Sequence, residues 1–272
     1  MATYAYLAEI WVYPIKSLDG QRRSQSSLVS RWGLALDRHW AMLDPDGVPI
    51  NGKRTPSVHG VVASFAWNPL RVTLRHRSGD AGAGVFRLPE EAIGCQRWLE
   101  RAIGQPLHLV SRSPGGWPDD EKASGPTLVS RATLEEIASW FPPATADQMR
   151  ARFRPNLVID GVPPFWEDSL LPAPGRSSCF HIGPHLFEAV NPCRRCVVPT
   201  RDPETGKPDR DFMRRFLKLR QATFPDWAPR HHFDHFYRLT LNTRWLGKGP
   251  ARLEEGMPVI PASDEDGPVE SA

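Results

Sequence analysis

The chain has 272 residues, 40 % apolar and 24 % charged, which is ordinary globular composition and enough for one large domain or two modest ones. Its 34 basic and 31 acidic side chains leave a net charge of +3, so nothing global points to nucleic acid, and a basic function must come from a local cluster. Four cysteines are too few for a disulfide scaffold of this size and favour a reduced, cytoplasmic setting. No basic segment followed by an apolar stretch opens the chain, and no run approaches the roughly 18 apolar residues of a membrane span, so neither a signal peptide nor a membrane partner is expected.

The 28 prolines are scattered throughout, which suits many short strands joined by turns. Leu7 to Tyr13, rich in Ile, Trp, Val and Tyr and stopped by Pro14, predicts a strand. His39 to Leu43 predicts a second, ended by the turn Asp44-Pro-Asp-Gly47. Val61 to Trp67, Arg71 to His76 and Leu107 to Ser111 continue the pattern. One helix interrupts it over Glu90 to Ile103, where Ala92, Cys95, Trp98, Leu99 and Ala102 share a face. The loop-like segment Arg112 to Gly125 is the best internal boundary and divides 1–115 from 116–262. Beyond it, Thr133-Leu-Glu-Glu136 predicts a capping box, with Leu134, Ile137, Ala138 and Phe141 on one helical face. Asn156 to Asp160, Leu186 to Val190 and Phe236 to Leu241 predict strands, and Asp211 to Arg220 sets Phe212, Phe216 and Leu219 at helical spacing. Residues 263–272 are acidic and small, as in a disordered tail. The fold class is α+β, mostly β, with twisted or barrel-like sheets.

Cys193-Arg-Arg-Cys196 is the most chemical feature, and four readings stay open on residues alone. A zinc half-site needs two further ligands, yet Cys95 and Cys179 are isolated and His231, His232 and His235 lack finger-like spacing. A redox dithiol needs a helix start, whereas Pro192 precedes and Val197-Val-Pro199 follows. A single thiolate ligand or nucleophile is favoured by Arg194 and Arg195 beside Cys196, and a soft thiolate suits a metal that also carries sulfur ligands. Two buried cysteines near a turn is the bland alternative. Lys16, Arg38, Arg54, Arg152 and Arg154 stand at turn or strand ends and read singly as solvated cations. Arg154-Pro-Asn156 is odder, because a rigid guanidinium beside an amide donor suits a phosphate or carboxylate. No glycine-rich phosphate loop is present, so a phosphate site would be built from side chains and loop amides. Glu167-Asp168 reads as loop capping or ion pairing more than acid–base machinery.

Taken in order, Tyr13-Pro-Ile-Lys-Ser17, Gly33-Leu-Ala-Leu-Asp-Arg38, Lys53-Arg54-Thr-Pro56, Thr127-Leu-Val-Ser130, Arg152-Phe-Arg-Pro-Asn156, Glu167-Asp168, Pro192-Cys-Arg-Arg-Cys196 and Asp202-Pro-Glu-Thr-Gly206 resemble MOSC-domain proteins. The similar branch carries an N-terminal MOSC β-barrel unit and includes the mitochondrial amidoxime-reducing component and its bacterial relatives. The resemblance covers about Ala5 to Pro261 and implies an N-terminal unit at 1–115 and a MOSC domain at 116–262. It departs at Leu18, at Phe224 to His232 and at Glu255-Gly-Met-Pro258.

What the resemblance implies is a pterin-based molybdenum cofactor, with Cys196 as both metal ligand and catalytic residue. Lys16, Ser17, Arg38, Arg54, Arg154, Asn156 and Arg195 would hold the cofactor and its phosphate, with amides near Ser124 and Gly125. The implied activity is reduction of N-hydroxylated small molecules. Electrons would come from a separate cytochrome, ferredoxin or flavin reductase type of protein, because no Cys₄ iron–sulfur pattern is present. Pyridoxal phosphate would belong only to a separate sulfurase partner. Two other roles share the same cysteine: a cofactor carrier or insertion protein, and a sulfur-transfer protein with a persulfide on Cys196.

Overall fold

A buried, β-branched first segment decides the architecture. In Tyr6–Val12 the side chains of Leu7, Ile10 and Val12 are fully buried, and the strand ladders antiparallel with Leu157–Asp160 on one side and Gln21–Arg23 on the other. The computed structural model describes residues 4–30 and 32–262, so the expected acidic tail at 263–272 lies outside the described residues. Leu157–Asp160 runs parallel to Leu128–Ser130, which meets Arg238–Trp245, then His185–Arg194, Cys179–Ile182 and Val259–Pro261 to complete an eight-stranded sheet. The sheet curls back on itself. Val259 N–H donates to the Ala5 carbonyl and Leu7 N–H to the Met257 carbonyl, both at 2.8 Å, with an isolated bridge between Tyr6 and Pro258. The seam is a bridge rather than a ladder, so the sheet is barrel-like without being a closed barrel.

Four α-helices are present among the described residues: α1 (Ala92–Ile103), α2 (Arg131–Ser139), α3 (Ala146–Phe153) and α4 (Phe212–Ala222). The sheet's interior is filled by Leu7, Ile10, Leu128, Leu157, Phe180, Phe187 and Leu241. Its other face is covered by α2, α3 and α4 through Ile137, Met149, Phe153, Phe212 and Phe216. A separate core belongs to the N-terminal unit. There the three-stranded sheet of Val61–Ala66, Arg71–His76 and Gly84–Arg87 and the pair Trp40–Leu43 with His108–Ser111 pack with Cys95, Trp98, Leu99 and Ile103 of α1. The first strand thus belongs to the sheet built from the C-terminal strands, across the 115/116 division.

One local expectation needs correction. The capping box expected to start at Thr133 is not the helix start. Ser130 is the N-cap of α2 and accepts from Thr133 N–H at 3.0 Å, while the Thr133 hydroxyl donates to Glu167 at 3.0 Å. The helix start that does carry a capping box is Thr145 with Gln148, which opens α3.

Candidate functional site

Lys16 and Ser17 lie between Ile15 and Leu18, both fully buried in the N-terminal core, and that anchoring turns the two polar side chains to a cavity. Tyr13 lies beneath, its hydroxyl donating to the Pro155 carbonyl at 3.1 Å. Lys16 Nζ donates to the carbonyls of Trp117 at 2.9 Å and Pro118 at 3.4 Å and pairs with Asp119 at 2.8 Å. Although the Asp119 side chain is 84 % exposed, crowding by the surrounding wall works to raise its pKa; Lys16, with Arg38 and Lys53 behind it, overrides this and holds the carboxyl down at about 2. The Arg112–Gly125 loop is thereby tied over the cavity. Gly116 (φ 61°) permits the approach, because a side chain there would come within 2.5 Å of the Arg38 carbonyl.

The opposite wall comes from the C-terminal strands. Arg154 is the C-cap of α3 in the left-handed region (φ 54°), just after Phe153 is buried in the helical core. Its guanidinium lies 4.4 Å from the centre of the Tyr13 ring, and that of Arg38 lies at the same distance. Arg38 pairs with Asp37 at 2.5 Å and donates to the Arg154 carbonyl at 3.2 Å. Arg154 donates to the Leu18 carbonyl, and among the described residues no carboxylate lies within ion-pair reach of it. Burial therefore pushes its pKa below the ordinary arginine value, and Arg38 beside it acts in the same direction.

The cysteines close this wall. His185–Arg194 carries bulges at Ala189/Asn191 and Pro192/Arg194, and Pro192, which has no N–H, sits at the second. The chain leaves the sheet there, and Cys196 falls on the short link before the 3₁₀ turn Val198–Thr200. Both Cys193 and Cys196 line the cavity and are half-buried. The hydrogen-bonding sulfur partner of Arg195 is Cys193. The guanidinium donates to Cys193 Sγ at 3.2 Å and to the Phe153 carbonyl at 2.6 Å. Cys95 lies in the N-terminal core, where burial pushes its thiol up to about 12, and Cys179 is buried in the curled sheet. Among the described residues no group of three or more His, Cys, Asp or Glu side chains is placed to hold a metal, which leaves the zinc reading without its further ligands.

Lys16, Ser17, Arg38, Ser124, Gly125, Arg154, Asn156, Arg195 and Cys196 all line this one cavity of about 1500 Å³. Arg54 does not line it, although Lys53 does. Asn156 and Gly125 hold the fold together here. Asn156 donates through its amide to the Trp11 carbonyl at 2.9 Å and accepts from Thr127 N–H at 3.2 Å, so it ties strands together. Gly125 N–H donates to the Thr243 carbonyl at 2.9 Å and is not free for a ligand. Residues that sequence reasoning missed are Tyr13, which carries both guanidiniums, and Asp37 and Asp119, the counter-ions. Tyr13 directly precedes the quoted Pro-Ile-Lys run, and Asp37 precedes Arg38 in the quoted Asp-Arg pair, so both stood in view.

A MOSC N-terminal β-barrel domain model matches residues 4–99, and a MOSC domain model matches residues 123–243. The chain belongs to the MOSC-domain family. This MOSC protein is 20 % identical over 261 residues to the molybdenum cofactor sulfurase of Bos taurus, covering 79 % of its own length but 29 % of the sulfurase. It is 25 % identical over 240 residues to mitochondrial amidoxime-reducing component 1 of Mus musculus, covering 75 % of its own length and 68 % of that protein. A solved structure, the YUAD protein of Bacillus subtilis, aligns over 94 % of this chain with 10 % identity and a TM-score of 0.39, too distant to bear on fold or function. Among the described residues, no helix is long and apolar enough to cross a membrane.

Proposed function

We propose that this MOSC protein binds a phosphorylated pterin–molybdenum cofactor in the cavity and reduces N-hydroxylated small molecules with electrons from a separate protein. The observation that carries the reading is Arg154, a desolvated guanidinium without a carboxylate partner, stacked with Arg38 on one tyrosine in the cavity that Cys196 lines. A half-buried cation without a counter-ion is a favourable place for an anion to bind. A phosphate supplies that charge, and guanidiniums match its geometry. Cys196 supplies the soft thiolate that a sulfur-rich metal centre takes. The reading is supported by the names of two relatives, a molybdenum cofactor sulfurase and an amidoxime-reducing component.

On this reading Lys16, Ser17, Arg38 and Arg154 would hold the phosphate end and Cys196 would hold the metal, while Arg195 fixes the Cys193 side of the loop. When bound, the cofactor supplies the two-electron chemistry that removes the substrate oxygen. The chain's own residues bind, orient and exclude water.

Molybdenum and pterin content after expression in a cofactor-competent host tests this. Wild type and Cys193→Ser should carry both. Cys196→Ser should lose molybdenum, and Arg154→Gln should lose pterin and metal together, each by at least about tenfold. Wild type without either component sinks the proposal. Cofactor bound in full amount without turnover would instead make the protein a carrier, and a persulfide on Cys196 without metal would make it a sulfur-transfer protein.

A further inference from the structure

The cavity wall carries a further set of basic side chains. It lies where the turn after Arg201 meets the N-terminal unit. Arg77 donates through Nε to the His59 carbonyl at 3.0 Å and through a terminal nitrogen to the Pro203 carbonyl at 3.1 Å, so one guanidinium joins the two sides. Arg201 donates to the Gly206 carbonyl at 3.3 Å, and its Nε is buried without a hydrogen-bond partner. Gly206 has φ 69°, and a side chain there would come within 2.6 Å of the His59 Cβ. The turn is therefore pressed against the imidazole.

His59, Arg77 and Arg201 all line the cavity that holds Cys196. Among the described residues, neither Arg77 nor Arg201 has a carboxylate in ion-pair reach, although Arg152 beside them reaches Asp202 at 3.8 Å. Glu204, also in this wall, is exposed and pairs with neither. A carbonyl orients a guanidinium but does not neutralise it, so a half-buried Arg201 and an exposed Arg77, both oriented and without a carboxylate partner, line the same cavity. Burial lowers the His59 pKa against an opposing Gly52 backbone contact, and Arg201, Arg154 and Arg77 lower it further, so the ring is neutral near pH 7 and can hydrogen-bond without adding charge; its Nε2 is buried without a partner. At about 1500 Å³ the cavity exceeds the roughly 300–1,000 Å³ that houses one drug-sized ligand. There is room for a second occupant beside the cofactor.

We propose that His59, Arg77 and Arg201 form an oxyanion subsite that takes the carboxylate or phosphate of the substrate. The preferred substrate is then an acidic N-hydroxylated compound rather than a neutral one. Its N-hydroxylated half rests on the function proposed above, whereas its anionic half rests on this arm alone.

Titration calorimetry on the cofactor-loaded protein tests it, with benzoate and phenyl phosphate as probes and benzyl alcohol as the neutral comparison. At least one anion should bind and the alcohol should not, and the tighter anion identifies the group. Arg77→Gln and Arg201→Gln should weaken anion binding about tenfold or more, as for a lost charge-assisted hydrogen bond. Arg201→Lys, which keeps the charge, should retain most of the affinity. Molybdenum and pterin content should be unchanged in all three. No anion binding, equal binding in the Gln variants, or equal loss in the Lys variant overturns the proposal. So does loss of pterin with the anion, because the arm would then belong to the cofactor. If wild type carries no cofactor, the same titration still decides this proposal while the one above fails.

Discussion

Ser17, Arg38 and Arg154 have φ of 76°, 48° and 54°, a region that side chains with a Cβ resist. Each costs on the order of 1–3 kcal/mol and persists only where the surroundings enforce it. Ser17→Gly should therefore raise the Tm of the cofactor-free protein, by up to about 1 kcal/mol of stability, while lowering cofactor retention. A calorimetric Tm that is unchanged or lower would show that no strain is held there. A second residue carries a pH signature. Burial, and then the Asp168 charge, push the Glu167 carboxyl from 4.5 up to about 7; Oε2 accepts from Thr133, and Oε1 has no partner. Between those values the folded protein keeps a proton that the unfolded chain has released. That contribution is full below about pH 4.5 and is lost as pH rises through 7. Urea midpoints should fall from pH 5 to pH 8 in wild type and fall less in Glu167→Gln; parallel slopes would rule Glu167 out. Ion pairing for Glu167-Asp168 was legible as the ordinary reading of adjacent carboxylates in a turn. The partner of Asp168, Arg220, was not, because it comes 52 residues later from the buried side of α4.

At the scale of elements, legibility followed burial. α1 was plain, since Cys95, Trp98, Leu99 and Ile103 recur at helical spacing. α3 was not, since Asp147, Gln148, Arg150 and Arg152 dilute its apolar face and only Met149 and Phe153 are buried. Its signal was the cap, Thr145 with Gln148. Gln21–Arg23 and Gln25–Val29 were equally hard, because short, polar, half-exposed strands carry little alternation. What ties α4 to the 3₁₀ turn Trp166–Leu170 is the Asp168–Arg220 pair, with the Arg220 side chain 1 % exposed and stacked 3.9 Å from the Phe165 ring. Asp168→Ala leaves that guanidinium buried and alone, and should cost about 3–5 kcal/mol in denaturant unfolding. A cost under about 1 kcal/mol would mean that water reaches Arg220.

For the whole molecule, the candidate site is assembled from segments that never meet in sequence: Lys16 and Arg38 from the N-terminal unit, Arg154 after α3, and Cys196 after a bulged strand. Composition and periodicity do not show such a meeting; the ordered resemblance implied it, and the cavity is where these residues lie together. The shared sheet also limits dissection. Residues 116–262 expressed alone lack Tyr6–Val12, the neighbour of Leu157–Asp160, and should not unfold cooperatively. A sharp thermal transition in that fragment would show that the first strand is dispensable.

That same strand sets a timetable for synthesis. Tyr6 emerges from the ribosome first, yet its partner Asp160 follows about 150 residues later, a wait on the order of ten seconds at usual elongation rates. During that interval an apolar strand edge has nothing to pair with, which is a state that chaperones shield. The cavity is unfinished until Cys196 and the strand beside it, Arg238–Trp245, have been made. If the protein binds the cofactor proposed above, loading is a post-translational event, and the supply of cofactor must meet finished chains rather than nascent ones.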